Sequence, residues 1–208
     1  MAFTRMDLAT EADWAKIGRV TGAWQAGMPG RVRAMLLQSR EIFEDGSVDQ
    51  LQHGLQTATR ALRSGASEEL VVAALCHDMA NVISVENHGP IVAEILKPYV
   101  SSDVYGILRT HQDFQGRYSN ALFGKDPEER RRHRRARWYG AACRFSDEWD
   151  QASFDPGYDT LPLEHFEPMI ERVFREPRRD RAREYREAAA RRWRIVRGWM
   201  GRGGSGQR

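Results

Sequence analysis

Residues 47–78, SVDQLQHGLQTATRALRSGASEELVVAALCHD, decide the fold. Leu51, Leu55, Ala58 and Leu62 recur at helical spacing, and Ser47 with Gln50 has the form of a capping box that opens the helix. Gly65 predicts the helix end, because glycine readily takes the left-handed conformation that closes a last turn. Ser67 then caps a second helix, in which Leu70, Ala73, Ala74 and His77 share a face. Two helices joined this way form an antiparallel hairpin, and residues equidistant from its turn lie side by side. His53 and His77 are 24 residues apart with Gly65 at their midpoint. They are therefore expected to meet at the open end, roughly 18 Å from the turn at ~1.5 Å rise per residue.

The next stretch repeats the arrangement. Ile91, Val92, Ile95 and Leu96 read as helical turns stopped by Pro98. Ser101 or Ser102 caps a further helix with Val104, Ile107, Leu108 and His111 on one face. His88 and His111 are 23 apart, and their midpoint at Tyr99–Val100 again falls in a turn. Two hairpins joined by the loop 79–87 thus bring four imidazoles to one place. Asp78 directly follows His77. Adjacent helical residues point about 100° apart, so its carboxylate is placed to reach a second ion and bridge the two. Imidazole with carboxylate suits iron, manganese or zinc, and does not suit calcium.

Taken singly, each histidine has a plainer reading. His77, His88 and His111 lie on apolar stripes, where a lone histidine is ordinarily a hydrogen-bonded core residue. His53, beside Gln56, Thr57 and Arg60, reads as solvent-exposed. All four readings would have to coincide to produce the matched spacings, so the joint metal site is the expectation.

Elsewhere the periodicity is also helical. Thr10–Ala26 and Arg31–Phe43 read as helices separated by Gly27–Gly30, with Pro29 in the break. Asp126-Pro127-Glu128-Glu129 opens a helix expected to run to about Trp149, with proline at its first position. After a loop at 151–162, helices are expected near Glu164–Phe174 and Arg178–Trp199, and Gly201–Arg208 reads as a disordered tail. No stretch alternates like a strand. The expectation is one all-α domain over 1–200, with a metal-binding core at about 47–172 and extra helices at both ends.

The 208 residues suit one domain able to bury a core without staples. Cys76 and Cys143 have no CxxC spacing and read as reduced core residues of a cytoplasmic protein. No apolar run is long enough to span a bilayer, and no signal-peptide pattern opens the sequence, so no membrane partner is expected. The net charge of +3 is uneven. Arg172–Arg208 carries 13 arginines against four acids, a local +9, which leaves −6 for residues 1–171. Without aromatic interleaving or a binding motif, that basic end reads as a solvated helix face, and a nucleic-acid partner is not expected.

In order along the chain, His53, His77-Asp78, His88 and His111 resemble the HD superfamily of metal-dependent phosphohydrolases and oxygenases. A terminal aspartate completes that pattern, and Asp147 and Asp150 both compete for it. The stretch from Trp149-Asp150 through Ser153-Phe154-Asp155-Pro156, then Leu161-Pro162-Leu163-Glu164-His165-Phe166, resembles the segment of myo-inositol oxygenase and the phosphonate-cleaving HD oxygenases in which an aromatic residue precedes the ligand aspartate. That resemblance selects Asp150 and puts Asp147 behind it. It implies that His53, His77, Asp78 and Asp150 hold one metal, and that His88, His111 and Asp78 hold the other. Asp78, shared between them, is the expected catalytic residue.

Six ligands over two ions leave positions open for a substrate and for O2 or water. The oxygenase branch implies a mixed-valent Fe2+/Fe3+ pair acting on a small molecule with O2. The phosphohydrolase branch would take Mn, Zn, Ni or Co and a nucleotide or small phosphoester. A non-catalytic metal sensor or a basic-helix interaction module is the third reading. This chain also departs from the oxygenases where they carry lysines, with Asn81, Gln115 and Phe154 at those places. The loss of fixed cations points to a less anionic substrate. Gln115 and Arg117, in the segment after His111, are the expected substrate-binding residues; Arg117 equally reads as a helix C-terminal arginine near the dipole.

Overall fold

The computed structural model describes residues 3–43 and 47–178. The fold is all-α: the described residues form eight α-helices and short 3-10 or π turns, with one isolated bridge between Phe43 and Asp49. The chain divides into two compact units, Met1–Met28 with Arg179–Arg208, and Pro29–Arg178. In the first, α1 (Glu11–Ala26) opens on Thr10, whose hydroxyl accepts from the Asp13 N–H while the Asp13 carboxylate accepts from the Thr10 N–H. This reciprocal cap satisfies two donors at the helix start. The helix expected at Arg178–Trp199 and the tail 201–208 lie, beyond Arg178, outside the described residues.

Helix α2 (Met28–Gln38) starts earlier than its expected Arg31. Pro29 sits in its first turn, where a missing N–H costs no hydrogen bond, so only Gly27 separates α1 from α2. The helix also stops short of Phe43: after a 3-10 turn at Ser39–Glu41 the chain turns back, and the Gln50 N–H donates to the Ile42 carbonyl at 2.9 Å.

Helix α3 (Gln50–Arg63) is capped by Asp49, whose carboxylate accepts from the Gln52 N–H at 2.8 Å. The expected Ser47 cap is not used; a carboxylate one residue before the helix also meets the positive end of its dipole. At the far end Gly65 takes φ 76°, and Ala66 and Gly65 donate to the carbonyls of Ala61 and Leu62. Those two bonds satisfy the last carbonyls as a Schellman turn does, and glycine meets the left-handed φ without strain. Helix α4 (Glu68–Cys76) then returns along α3. Val71 to Cys76 are all buried, because α3, α6 and α8 pack around α4. That burial explains why its sequence is apolar all round rather than striped. On the face of α3 that meets α4, a Cβ on Gly54 would stand 2.6 Å from the Leu75 carbonyl oxygen.

The second hairpin joins α5 (His88–Leu96) to α6 (Ser102–Ser119), which is capped by Ser101. The expected single helix from Asp126 to Trp149 does not form. Instead a 3-10 turn (Glu129–His133) leads through a bend to α7 (Tyr139–Arg144) and a π-helical turn (Phe145–Asp150). A continuous helix would hold Arg130 and Asp147 about 25 Å apart, yet Arg130 Nη1 lies 2.8 Å from Asp147 Oδ1. His133, Trp138 and Tyr139 also close around the Phe114 ring, which is fully buried. These long-range contacts outweigh the local helix signal. Helix α8 (Leu163–Phe174) packs on α4 and is tied by Arg172 to Glu68 and by Glu167 to Arg33.

Among the described residues no helix is long and apolar enough to cross a membrane. Both cysteines are free thiols; Cys76 lies in the core, whereas Cys143 is half-buried rather than a core residue.

Candidate metal centre

The two hairpins meet at their open ends, and each expected histidine pair is in contact there. His53 and His77 approach through Nε2 at 3.1 Å, and His88 and His111 at 3.0 Å. The His77-Asp78 step lies at the end of α4 rather than inside it. His77 occupies the C-cap, while Asp78 takes φ −107° and ψ 0°, in the sparsely populated bridge region. The turn between them sends the carboxylate into the space between the pairs. Its Oδ1 lies 3.1 Å from His88 Nε2 and 3.2 Å from His111 Nε2, and its Oδ2 lies 3.5 Å from His77 Nε2 and 3.7 Å from His53 Nε2. Each oxygen of Asp78 thus faces one pair.

Asp150 completes the cluster from the π-turn. Its Oδ1 lies 3.1 Å from His53 and 3.4 Å from His77, while its fully buried Oδ2 has no hydrogen-bond partner. The wider i→i+5 turn, with the Gln151 N–H on the Ser146 carbonyl, sends the two nearby acids different ways. Asp150 faces the histidines, and Asp147 is held by Arg130 and by the Tyr118 hydroxyl. Such turns recur at functional sites.

The other ring nitrogens are tethered to the main chain. His77, His88 and His111 donate through Nδ1 to the carbonyls three residues upstream, Ala74, Val85 and Leu108, at 2.8, 2.6 and 2.8 Å. His53 Nδ1 donates to Ser153 in the loop after Asp150 at 3.0 Å. A carbonyl only accepts, so each Nδ1 carries the proton and each neutral ring turns a bare Nε2 lone pair to the centre. Two facing lone pairs near 3 Å are held by a cation or by an added proton. The electrostatics agree. Burial opposes a charge on His77, but Asp78 and Asp150 outweigh it and raise its pKa to about 9. Burial likewise opposes a charge on His88, and Asp78 raises its pKa nonetheless. Burial pushes the Asp78 and Asp150 carboxyls up in turn, yet the histidines hold both below the ordinary carboxylate range. The ligand atoms of His53, His77 and Asp150, and those of His77, Asp78 and His111, lie within 4.8 Å of one another, all on buried residues. These groups could hold a metal ion.

All six expected ligands therefore come together. Gln115 also reaches the site, half-buried, with Nε2 3.4 Å from Asp150 Oδ1. Arg117 does not: it is exposed and pairs with Glu128 at 3.4 Å. Several residues support the site without having been expected to. Phe154 stacks on His53 at 4.5 Å between centroids, and Gln56 bonds the backbone of Asp155 in both directions. Arg60 donates to the Ala152 carbonyl at 2.8 Å. One face of α3 so clamps the loop that orients His53. The signals for them were the polar Gln56 and Arg60 beside His53, on a helix whose leucine stripe lies elsewhere, and the place of Phe154 in the stretch after Asp150.

No protein-family model matches this chain, and a comparison with curated proteins found no match.

Proposed function

We propose that this chain is an HD-type metalloenzyme that holds two ions, a mixed-valent iron pair, and uses O2 to oxidise or cleave a small hydroxylated or amino-substituted metabolite. The observation that carries the reading is the split carboxylate of Asp78, one oxygen toward His88 and His111 and the other toward His53 and His77. A carboxylate so placed serves two ions at once, and the orphaned Asp150 Oδ2 offers a further ligand atom to the first pair.

Bound iron would supply the redox chemistry and a Lewis-acid position for a substrate oxygen or nitrogen. The chain's own contribution is orientation and exclusion of water. The Nδ1 tethers fix the tautomer of each ring and strengthen Nε2 as a donor. Phe154 stacked on His53 and Phe145 edge-on to His77 keep the flanks of the site dry. Gln115 supports Asp150 and presents a neutral polar group beside it. The same six ligands also suit a phosphohydrolase. Against it stand the arginines, because Arg60, Arg117 and Arg130 direct their guanidinium groups to Ala152, Glu128 and Asp147.

The test is metal analysis with electron paramagnetic resonance on protein purified without chelator and partly reduced. Two irons per chain with a mixed-valent signal are expected. Manganese, zinc, nickel or cobalt in their place, with no such signal after iron reconstitution, would replace the oxygenase by the phosphohydrolase.

A further inference from the structure

His53 differs from the other three imidazoles in where its tether comes from. Theirs are carbonyls three residues upstream, whereas His53 Nδ1 bonds the carbonyl of Ser153, 100 residues away. Phe154, the next residue, stacks on the same ring. The aim of His53 therefore depends on how the irregular segment 151–162 is held against α3. A polar stripe on that helix holds it. Gln52, Gln56, Thr59 and Arg63 follow at steps of four, three and four residues and so share one side of α3. Gln52 donates to the Thr160 hydroxyl at 3.2 Å, Thr59 accepts from the Leu161 N–H at 3.1 Å, and Arg63 pairs with Asp159 at 2.7 Å. Gln56 uses its whole amide on one residue. Its Nε2 donates to the Asp155 carbonyl at 2.8 Å and its Oε1 accepts from the Asp155 N–H at 3.3 Å, as a neighbouring strand would. Arg63 is exposed and Gln52 half-buried, so water can replace their bonds. Gln56 is fully buried, and nothing can replace its amide unless the segment lifts from the helix.

Resting on the metal-centre reading above, we infer that Gln56 is a positioning residue for one of the two ions: it governs the ion on the His53, His77 and Asp150 side and leaves the His88 and His111 side alone. It acts through the chain. Arg60 grips the Ala152 carbonyl just before Ser153, and Gln56 grips Asp155 two residues after it, so the Ser153 carbonyl is bracketed. Without the second grip that carbonyl shifts away from His53 Nδ1. The ring then turns, or carries its proton on Nε2, the nitrogen that must face the metal. The loss of such an outer hydrogen bond costs about 10–100-fold in metal affinity. His88 and His111 keep their own tethers, which no part of the segment 151–162 supplies.

The test is equilibrium dialysis of the full-length protein against Mn2+, read as the number of ions bound and the affinity of each. Gln56→Met keeps the length of the side chain and removes the amide. It is expected to hold one ion within about threefold of the wild-type affinity and the other at least about tenfold more weakly. His88→Ala tells the two apart: each single variant should keep one tight ion, and the double variant neither. Phe174→Leu, in α8 beside Tyr99 at the turn of the second hairpin, is the control for lost stability and should keep both ions. Gln56→Glu retains the acceptor for the Asp155 N–H but not the donor to its carbonyl. It should weaken the same ion by at least about threefold, and it carries the test if Gln56→Met does not fold. Two ions at wild-type affinity in the Gln56 variants would overturn the inference. So would equal weakening of both ions, which would leave Gln56 a residue of stability alone. A wild type that takes up fewer than two Mn2+ ions would instead sink the two-ion centre itself.

Discussion

Asp78, just past the end of α4, reaches His88, the first residue of α5, with Oδ1 3.1 Å from Nε2. This contact joins two hairpins whose histidines pair through Nε2 within their own hairpin; across the hairpins the His77 and His111 rings also meet edge-on, at 5.2 Å between centroids. Its loss should be felt on both sides. Asp78→Ala is expected to empty the site of both ions, while His88→Ala weakens chiefly the ion on the His111 side. Metal content of the purified variants checks this, and two ions per chain in Asp78→Ala would show that the site is assembled differently.

Asp150 and Asp147 lie three residues apart and face different partners. Asp150→Ala is expected to lower metal content more than Asp147→Ala, since only Asp150 contacts His53 and His77. Asp147→Ala instead unpairs the buried Arg130 and should cost about 1.5–3 kcal/mol in urea denaturation, typical for a hydrogen bond to a charged group. The reverse order of metal loss would move the sixth ligand to Asp147.

The close approach of α3 and α4 makes Gly54 a sharp probe. A Cβ there meets main chain rather than a yielding side chain. Gly54→Ala should therefore destabilise the protein by about 1–3 kcal/mol, as overpacking does. It should also reduce metal uptake, because the hairpin must open beside His53 and His77. Gly30→Ala is the matched control: a Cβ added there, in α2, would meet nothing within 4 Å, and a gain of up to about 1 kcal/mol is expected. Equal effects at the two glycines would refute the close-packing account.

In metal-free protein the centre should be stabilised by protons. The folded pKa of His77, about 9, exceeds its ordinary 6.5. Its contribution is therefore complete below about pH 6.5 and is lost as pH rises through about 9. Asp78 and Asp150 run the other way, stabilising above the ordinary carboxylate range and failing as pH falls toward their depressed values. Melting temperature of the metal-free chain should decline between pH 6.5 and 9, and the increment from added Mn2+ should grow over the same interval as protons give way to metal. An increment that shrinks with pH would contradict this competition.

Much of the centre was legible because hairpin geometry is local. Gly65 and Pro98 mark turns, and residues equidistant from a turn must meet, so His53 with His77 and His88 with His111 follow from spacing alone. The all-α class follows equally from periodicity. The segment from Asp126 to Trp149 was not legible, because the contacts that break it join residues distant in the chain: Arg130 with Asp147, and Phe114 with Trp138 and Tyr139. Proline and two glutamates announce a helix start, and nothing nearby in the sequence shows that the Phe114 ring must be covered. Arg117 departs from expectation for a related reason, since its partner Glu128 comes close only once that segment has folded back.

Three of the four imidazoles are tethered to a carbonyl three residues back on the same stretch of chain. Ring and tether therefore travel together whenever that stretch shifts. The two histidine pairs behave as a pair of stiff jaws, each carrying its own alignment, and the carboxylate of Asp78 is the pin between them. A small movement of one hairpin against the other would leave every ring correctly aimed and alter chiefly the separation across that pin. The distance between two bound ions, and with it the size of molecule that could span them, would then be set by how α5 and α6 seat against α3 and α4, far from any atom that touches a ligand.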